Sequence, residues 1–193
     1  MVLSGTILLI LFVAACGDVS ESAAPDPGST ESSVHESSGQ AFAETDTEGE
    51  AEDDGVVVIE MFTRGGAQYN DPIGVHVEPG TTIRFVNRTG THTATAYHPN
   101  NRNKSQRIPD NAEPWDSGVL SGRNTEFEIT LTVEGVYDYL CTLHEAQGHV
   151  GRIVVGDPNV FPALPTGNLP GRAPDFLPPV GEIVSRGVVP FEG

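Results

Sequence analysis

The stretch from Tyr137 to Val155, YDYLCTLHEAQGHVGRIVV, decides how the rest of this sequence is interpreted. It places Cys141, His144 and His149 between two short β-like runs, and Gly148 gives the backbone freedom to turn back on itself. A thiolate and imidazoles that converge on one point make a borderline-soft nitrogen and sulfur site, which suits copper or zinc better than magnesium or calcium. The stretch therefore predicts a metal-binding loop between two strands.

The first 16 residues are typical of an export signal. An apolar run from Ile7 to Ala15 ends in the sequence VAAC, which resembles the lipobox of secreted lipoproteins. The run is too short to span a bilayer. The resemblance implies cleavage before Cys16 and a lipid on its sulfur. No Lys or Arg precedes the run, so an ordinary signal peptide or a misassigned start is the alternative.

Residues 17–54 differ from the rest of the chain in composition. They contain 12 acidic residues, no Lys or Arg, and Phe42 as their one aromatic residue. Such a segment cannot build a core, so we expect a disordered acidic linker. The formal charge of −17 falls to −5 over residues 55–193, which have 15 acidic and 10 basic residues. A self-repelling acidic linker argues against nucleic-acid binding and suits a spacer that holds a domain away from a membrane.

Residues 55–156 read as short strands separated by turn signals, with no long segment of helical periodicity. The clearest strand runs from Glu126 to Val133, where apolar and polar residues alternate. The pattern predicts an all-β Greek-key sandwich of about seven to eight strands. Residues 157–193 carry eight prolines and five glycines. We expect an extended Pro/Gly-rich tail that does not fold alone, although Phe161, Leu164, Phe176 and Leu177 can pack on the domain.

A fourth ligand has to come from outside the loop. His76, His92 and His98 are the candidates, since His35 lies in the linker. His92 directly follows the turn that ends a predicted strand, where a neighbouring loop can approach Cys141. Three other interpretations of the cysteine remain: a buried apolar side chain, a nucleophile paired with a histidine, and a ligand of structural zinc.

Three segments carry a family resemblance: VEPGTTIRFVNRTGTH at residues 77–92, IPDNAEPWDSG at 108–118 and GVYDYLCTLHEAQGHVGRIVVGD at 135–157. Together they resemble the small blue copper proteins, or cupredoxins, and most of all the pseudoazurins and halocyanin-type relatives of plastocyanin. The resemblance implies one copper ion held by His92, Cys141 and His144, with the axial methionine position falling on His149. It also implies single-electron transfer between protein partners.

The chain departs from the family pattern at three positions. Leu143 replaces the proline between Cys and His, which loosens the turn. Thr93 replaces the asparagine common after the first histidine, which leaves open the bond that ties the two ligand loops. His149 replaces the axial methionine, and we expect it to bind copper axially because the residues around it keep their register. The alternatives are that His149 turns to solvent and leaves a three-coordinate or water-capped site, or that Glu145 takes its place.

Residues 98–107, HPNNRNKSQR, look like an insertion relative to pseudoazurins. Arg102, Lys104 and Arg107 in this loop form either a docking patch for an acidic redox partner or part of a solvated loop. The sequence thus predicts a lipid-anchored electron carrier on the outer face of the cytoplasmic membrane, without a small-molecule substrate or nucleic-acid partner. Copper delivery or storage through an exchangeable site is the second hypothesis. A small copper enzyme is the third, and it is disfavoured because the chain lacks further histidine clusters.

Overall fold

The structure, a computed structural model, describes residues 55–193 and shows a mostly β architecture. The predictions for Cys16 and for the acidic linker lie outside the described residues. The strands are β1 (Val56–Arg64), β2 (Ala67–Asp71), β3 (Gly74–Val77), β4 (Thr81–Asn87), β5 (Thr91–His92), β6 (Thr95–Ala96), β7 (Leu120–Ser121), β8 (Glu126–Leu131), β9 (Gly135–Leu140), β10 (Val150–Val155) and β11 (Val188–Val189). Within residues 55–193, one α-helix, α1, spans Val180–Arg186, and 3₁₀ turns span Glu145–Gln147 and Ala173–Phe176.

The strands form two main sheets that share a core. The first sheet has the order β2-β1-β4-β8 and the second has the order β11-β3-β10-β9-β6, while β5 pairs with β7 alone. Within the sheets, β1 runs parallel to β4 and β3 runs parallel to β10, so the chain crosses between the sheets as it does in a Greek key. Among the described residues, the seven strands of four or more residues confirm the predicted all-β sandwich.

Alternation along β8 places one face of the first sheet on the core. Phe127 and Ile129 are half-buried and Leu131 is buried, while the residues between them are exposed. They join a cluster that contains Ile83 and Phe85 from the first sheet together with residues of the second sheet. This is the period-2 pattern of a sheet with one solvent-exposed face. It confirms the strand predicted from Glu126 to Val133, although β8 ends two residues earlier, at Leu131.

Residues 157–193 are not the extended tail that their composition predicts. They contain α1 and β11, and β11 pairs antiparallel with β3 at the edge of the second sheet. Ile183 on α1 is fully buried. At Gly74 a Cβ atom would lie 2.8 Å from Pro178 and 2.9 Å from Ile183, so only glycine allows this close approach. The segment is therefore packed on the domain, and we call it the C-terminal extension.

Within residues 55–193, no helix has the length and apolar character needed to cross a membrane.

Candidate metal centre

The loop between β9 and β10 carries three of the four predicted ligands. Strand β9 ends at Leu140 and β10 begins at Val150, and these two residues face each other in the antiparallel ladder. The pairing continues into the loop, since the Cys141 N–H donates to the His149 carbonyl at 2.9 Å. Cys141 and His149 are thus held side by side at the base of the loop.

A tight turn returns His144 to the same place. Its N–H donates to the Cys141 carbonyl at 3.1 Å, and the His149 N–H donates to the His144 carbonyl at 3.2 Å. The following 3₁₀ turn ends at Gly148, whose φ of 96° lies in the left-handed region that residues with a side chain rarely adopt. The backbone of the loop therefore directs three donor side chains inward.

His92 approaches from strand β5, which is paired with β7. Its Nδ1 lies 3.9 Å from the Cys141 Sγ, and the Nδ1 of His144 lies 3.5 Å from the same sulfur. One ligand atom from each of His92, Cys141, His144 and His149 lies within 4.8 Å of the others. His144 is half-buried and the other three are buried. The structure thus brings together the four side chains that the sequence singled out.

Burial favours the neutral form of the three ligand histidines. The Nε2 of His92 lies 2.9 Å from the Thr89 carbonyl, which can only accept, so this nitrogen carries the proton and Nδ1 keeps its lone pair. Burial lowers the pKa of His92 and of His144. Burial, helped by the two neighbouring histidines, holds the pKa of His149 well below its usual range. Neutral imidazole is the form that binds a metal.

Thr93 ties the two ligand loops together. Its N–H donates to the Cys141 Sγ at 3.4 Å, and its hydroxyl oxygen accepts from the Thr142 N–H at 2.8 Å. The Thr95 hydroxyl oxygen lies within hydrogen-bond distance of the same oxygen, at 3.0 Å. The Thr93 hydroxyl therefore joins the two ligand loops, which the sequence had left open.

The remaining described histidines lie apart from this cluster. His98 accepts a hydrogen bond from the Asn100 N–H at 3.1 Å through its Nδ1, within its own loop. His76 is half-buried on β3, and its Nε2 lies 3.0 Å from the Gly156 carbonyl. Neither belongs to the group of convergent ligand atoms in the described residues.

Glu145, the alternative fourth ligand, is engaged elsewhere. Its side chain accepts a hydrogen bond from the Tyr97 hydroxyl at 2.9 Å and forms an ion pair with Lys104. Lys104 is therefore partnered, which weakens the prediction that it serves in docking.

Arg107 corrects the predicted docking patch more strongly. Only 5% of the residue is exposed, and its guanidinium pairs with Asp138 at 2.8 Å. A buried and paired cation cannot steer a partner, so the interpretation of Arg107 as a surface charge was wrong. Arg102 is exposed, in a left-handed conformation with φ of 54°, and remains available.

Two contacts near the site were not predicted from the sequence. Asn70 on β2 lies with its Oδ1 2.9 Å from the Nε2 of His149, although 79 positions separate them. The ring of Phe176, from the C-terminal extension, packs so closely on Gly148 that a Cβ there would clash. No local signal marks either residue, because both contacts arise from long-range packing.

The donor set fits a copper ion. One thiolate and imidazole nitrogens are ligands that copper binds well, and zinc follows copper in affinity for the same donors. The Nδ1 of His149 is buried and has no hydrogen-bond partner among the described residues, although the His149 ring lies edge-on to the His92 ring. Burying a polar atom without a partner is costly, and a metal ion would satisfy it.

Comparisons with known proteins support the assignment of this cluster as a copper site. Residues 59–156, about half of the chain, match the model of the copper binding proteins of the plastocyanin/azurin family. Pseudoazurin of Paracoccus pantotrophus is 30% identical over 118 residues, covering 60% of this chain and 74% of the relative. Halocyanin of Natronomonas pharaonis is 29% identical over 104 residues, covering 53% of this chain and 56% of the relative.

A solved structure extends the likeness to the fold. A pseudoazurin from Sinorhizobium superposes with a TM-score of 0.51 at 26% identity, covering 68% of this chain and 98% of the other. The expected cupredoxin-like sandwich and the expected copper cofactor are thereby confirmed. The protein is a copper-binding electron carrier like pseudoazurin and halocyanin, as predicted, rather than an enzyme. The chain belongs to the copper binding proteins of the plastocyanin/azurin family.

Proposed function

We propose that the protein is an exported, membrane-tethered electron carrier in which His92, Cys141, His144 and His149 hold one copper ion. The observation that carries this proposal is the convergence of a thiolate and three imidazoles within 4.8 Å, with three of the four side chains buried. The bound copper supplies a centre that cycles between two oxidation states one electron apart. The protein's residues determine how that centre is held and reached.

Rigidity of the ligand frame is the first contribution of the protein. The ligands stand on β5 and on a loop closed by the β9–β10 ladder, and the Thr93 hydroxyl joins the two. A frame fixed by backbone and side-chain hydrogen bonds adopts the same geometry in both oxidation states. Little reorganisation then opposes transfer of an electron.

Access is limited to one side. His144 is the half-buried ligand, and Leu143 beside it exposes 45% of its surface. The other three ligands are covered. We propose that electrons enter and leave across the His144 edge, while burial of the remaining donors excludes water and hinders loss of the metal. That burial favours electron transfer over copper delivery or storage, which needs an exchangeable site.

His149 distinguishes this site from one with an axial methionine. Imidazole is a stronger donor to Cu(II) than a thioether, so a fourth nitrogen should favour the oxidised state and weaken the bond to Cys141. We therefore expect a greener protein of lower reduction potential than a blue copper protein.

Voltammetry and absorption spectroscopy of the copper-loaded protein test this proposal. We expect a reversible one-electron wave, and we expect His149→Met to raise the potential and shift the colour toward blue. A spectrum and potential unchanged in His149→Ala would remove His149 from the ligand set. Rapid transfer of the copper to a weak chelator, without a reversible wave, would favour delivery or storage instead.

The tether is proposed from the sequence. The lipobox resemblance at residues 13–16 and the acidic composition of residues 17–54 support a lipid on Cys16, followed by a spacer that holds the domain off the outer face of the cytoplasmic membrane. Cys16→Ser should move the protein from the membrane to the soluble fraction. An unmodified Cys16 in the intact mass of membrane-extracted protein would refute the anchor.

Docking of an acidic redox partner is proposed for Arg102 alone among the basic residues of its loop, because Lys104 is partnered and Arg107 is buried. A surface charge of this kind changes association rate more than affinity.

A further inference from the structure

Asn70 is a buried polar residue that connects two parts of the molecule far apart in sequence. It stands on β2 opposite Met61 of β1 and exposes 1% of its surface. Its Nδ2 donates to the Val150 carbonyl at 2.9 Å, and its Oδ1 lies 2.9 Å from the Nε2 of His149. The nitrogen and the oxygen of the Asn70 amide are therefore both hydrogen-bonded, and both contact the end of the ligand loop.

The Val150 carbonyl determines which way the amide faces. A carbonyl oxygen only accepts hydrogen bonds, so the NH₂ group of Asn70 must point to Val150 and the amide oxygen must point to His149. An amide oxygen also only accepts, so the Nε2 of His149 must carry a proton. In the neutral ring the lone pair then lies on Nδ1.

The nitrogen without a partner belongs to a ring that adjoins the other ligands. The Nδ1 of His149 is buried without a hydrogen-bond partner within the structure. The His149 ring lies edge-on to the His92 ring, with 4.5 Å between their centroids. The two ring nitrogens of His92 are arranged in the same way: Nε2 donates to a carbonyl and Nδ1 lies toward Cys141.

We propose that Asn70 is a positioning residue that fixes the tautomer and ring orientation of His149 and so makes this histidine a fourth donor. The inference rests on the proposed ligation by His149 and goes beyond it by naming the group that selects the binding nitrogen. The chain positions Asn70 firmly, because β2 is paired with β1 and the Phe191 N–H donates to the neighbouring Asp71 at 3.1 Å.

Other side chains of similar size would not do the same. Aspartate would accept from Nε2 but has no donor for Val150, so its carboxylate would be repelled by that carbonyl. Leucine would fill the volume and leave both His149 and Val150 without a partner. Loss of an outer hydrogen-bond partner of a metal ligand typically costs 10 to 100-fold in metal affinity.

The test combines NMR spectroscopy with a double-mutant cycle on the full, copper-loaded chain. In the reduced protein with ¹⁵N-labelled histidine, we expect His149 to show a proton on Nε2 that exchanges slowly with solvent. We expect Asn70→Leu to lose that protection, to change the visible spectrum of the oxidised form, and to lower copper affinity by about 10 to 100-fold.

His149→Met supplies the matched control background. A thioether has no N–H for Asn70 to orient, so Asn70→Leu should change copper affinity much less when Met occupies position 149. An equal loss in both backgrounds would show that Asn70 acts only on the stability of the fold. Thermal unfolding of each variant shows whether it is folded. If Asn70→Leu does not fold, the position of the ring proton of His149 in the unaltered protein tests the proposal: a proton on Nε2 supports it and a proton on Nδ1 overturns it.

Two failures can be told apart. If His149→Ala leaves the spectrum unchanged, the proposed ligation by His149 is wrong. If His149→Ala changes the spectrum but a proton is found on Nδ1, or Asn70→Leu has no effect, ligation stands and the role of Asn70 is overturned.

Discussion

Removing the charge of Asp138 should destabilise the protein more than any surface substitution. Asp138 on β9 lies between two arginines: its carboxylate pairs with Arg107 at 2.8 Å and with Arg152 at 2.7 Å. The side chains of all three residues are 5% exposed or less. Asp138→Asn keeps the volume but leaves two buried guanidinium groups without a counter-charge. Breaking a buried pair in this way costs about 3 to 5 kcal/mol.

The loss of stability in Asp138→Asn should also affect the C-terminal extension. Arg107 also donates to the carbonyls of Leu164 and Pro165, each at 2.9 Å, and Arg152 donates to the carbonyl of Pro178 at 2.8 Å. The carboxylate therefore orients two cations that hold the backbone of the extension. We expect the unfolding temperature to fall by about 6 to 20 °C, using 2 to 4 °C per kcal/mol.

Chemical and thermal denaturation followed by circular dichroism measure this effect. Glu182→Gln is the matched control, since Glu182 pairs with Arg186 at 2.6 Å on the surface of α1, where both side chains are about 40% exposed. Such a pair contributes about 0.3 to 0.5 kcal/mol. If Asp138→Asn costs no more than Glu182→Gln, the buried network of Asp138, Arg107 and Arg152 does not stabilise the fold.

Three further results are expected. His92→Ala should abolish the intense thiolate-to-copper absorption while His98→Ala leaves it intact; the reverse pattern would refute the ligand assignment. Burial raises the pKa of Tyr137 to about 12. The contribution of the protonated Tyr137 hydroxyl to the stability of the fold is therefore complete below about pH 10, the pKa of tyrosine in the unfolded chain, and is lost as the pH rises toward 12. Unfolding measured against pH should show this loss, and Tyr137→Phe should reduce it. Arg102→Glu should slow electron transfer to an acidic partner at low salt by a few-fold, and stopped-flow rates independent of salt would contradict this.

The sequence predicted the parts of the fold that depend on local patterns. The alternation from Glu126 onward becomes β8, and the spacing of Cys141, His144 and His149 becomes a loop whose donors converge. Both follow from short-range rules: strand periodicity of two, and turns that glycine permits. His92 was a candidate from its place after a predicted strand, and the family resemblance then favoured it over His76 and His98.

Long-range burial of polar groups could not be predicted in the same way. Arg107 looks like a surface cation in sequence, because arginine is rarely buried without a partner. Its partner Asp138 lies 31 positions away on β9, and only the pairing of the folded chain brings them together. Asn70 was missed for the same reason, since nothing near it in sequence indicates a contact with His149.

The C-terminal extension shows how composition can mislead. Its prolines predict an irregular segment, and much of it has no regular structure. Yet Leu177 and Ile183 are buried, and the backbone carbonyls that proline retains accept from buried arginines. Proline removes a donor but not an acceptor, so a proline-rich segment can be held by cationic side chains without becoming a sheet or a long helix.

The C-terminal extension also contacts the two elements that hold His149, namely the ligand loop and strand β2. Phe176 packs on Gly148 in the ligand loop and stacks on Phe191, with 5.9 Å between ring centroids. Phe191 stacks in turn on Tyr69 at 4.1 Å, and Tyr69 precedes Asn70 on β2. Because successive strand residues point to opposite faces, the ring of Tyr69 packs outward on the extension while Asn70 points inward to the metal centre. The extension thus holds the strand that orients His149 and the loop that carries it, which makes residues 157–193 part of the support of the metal centre.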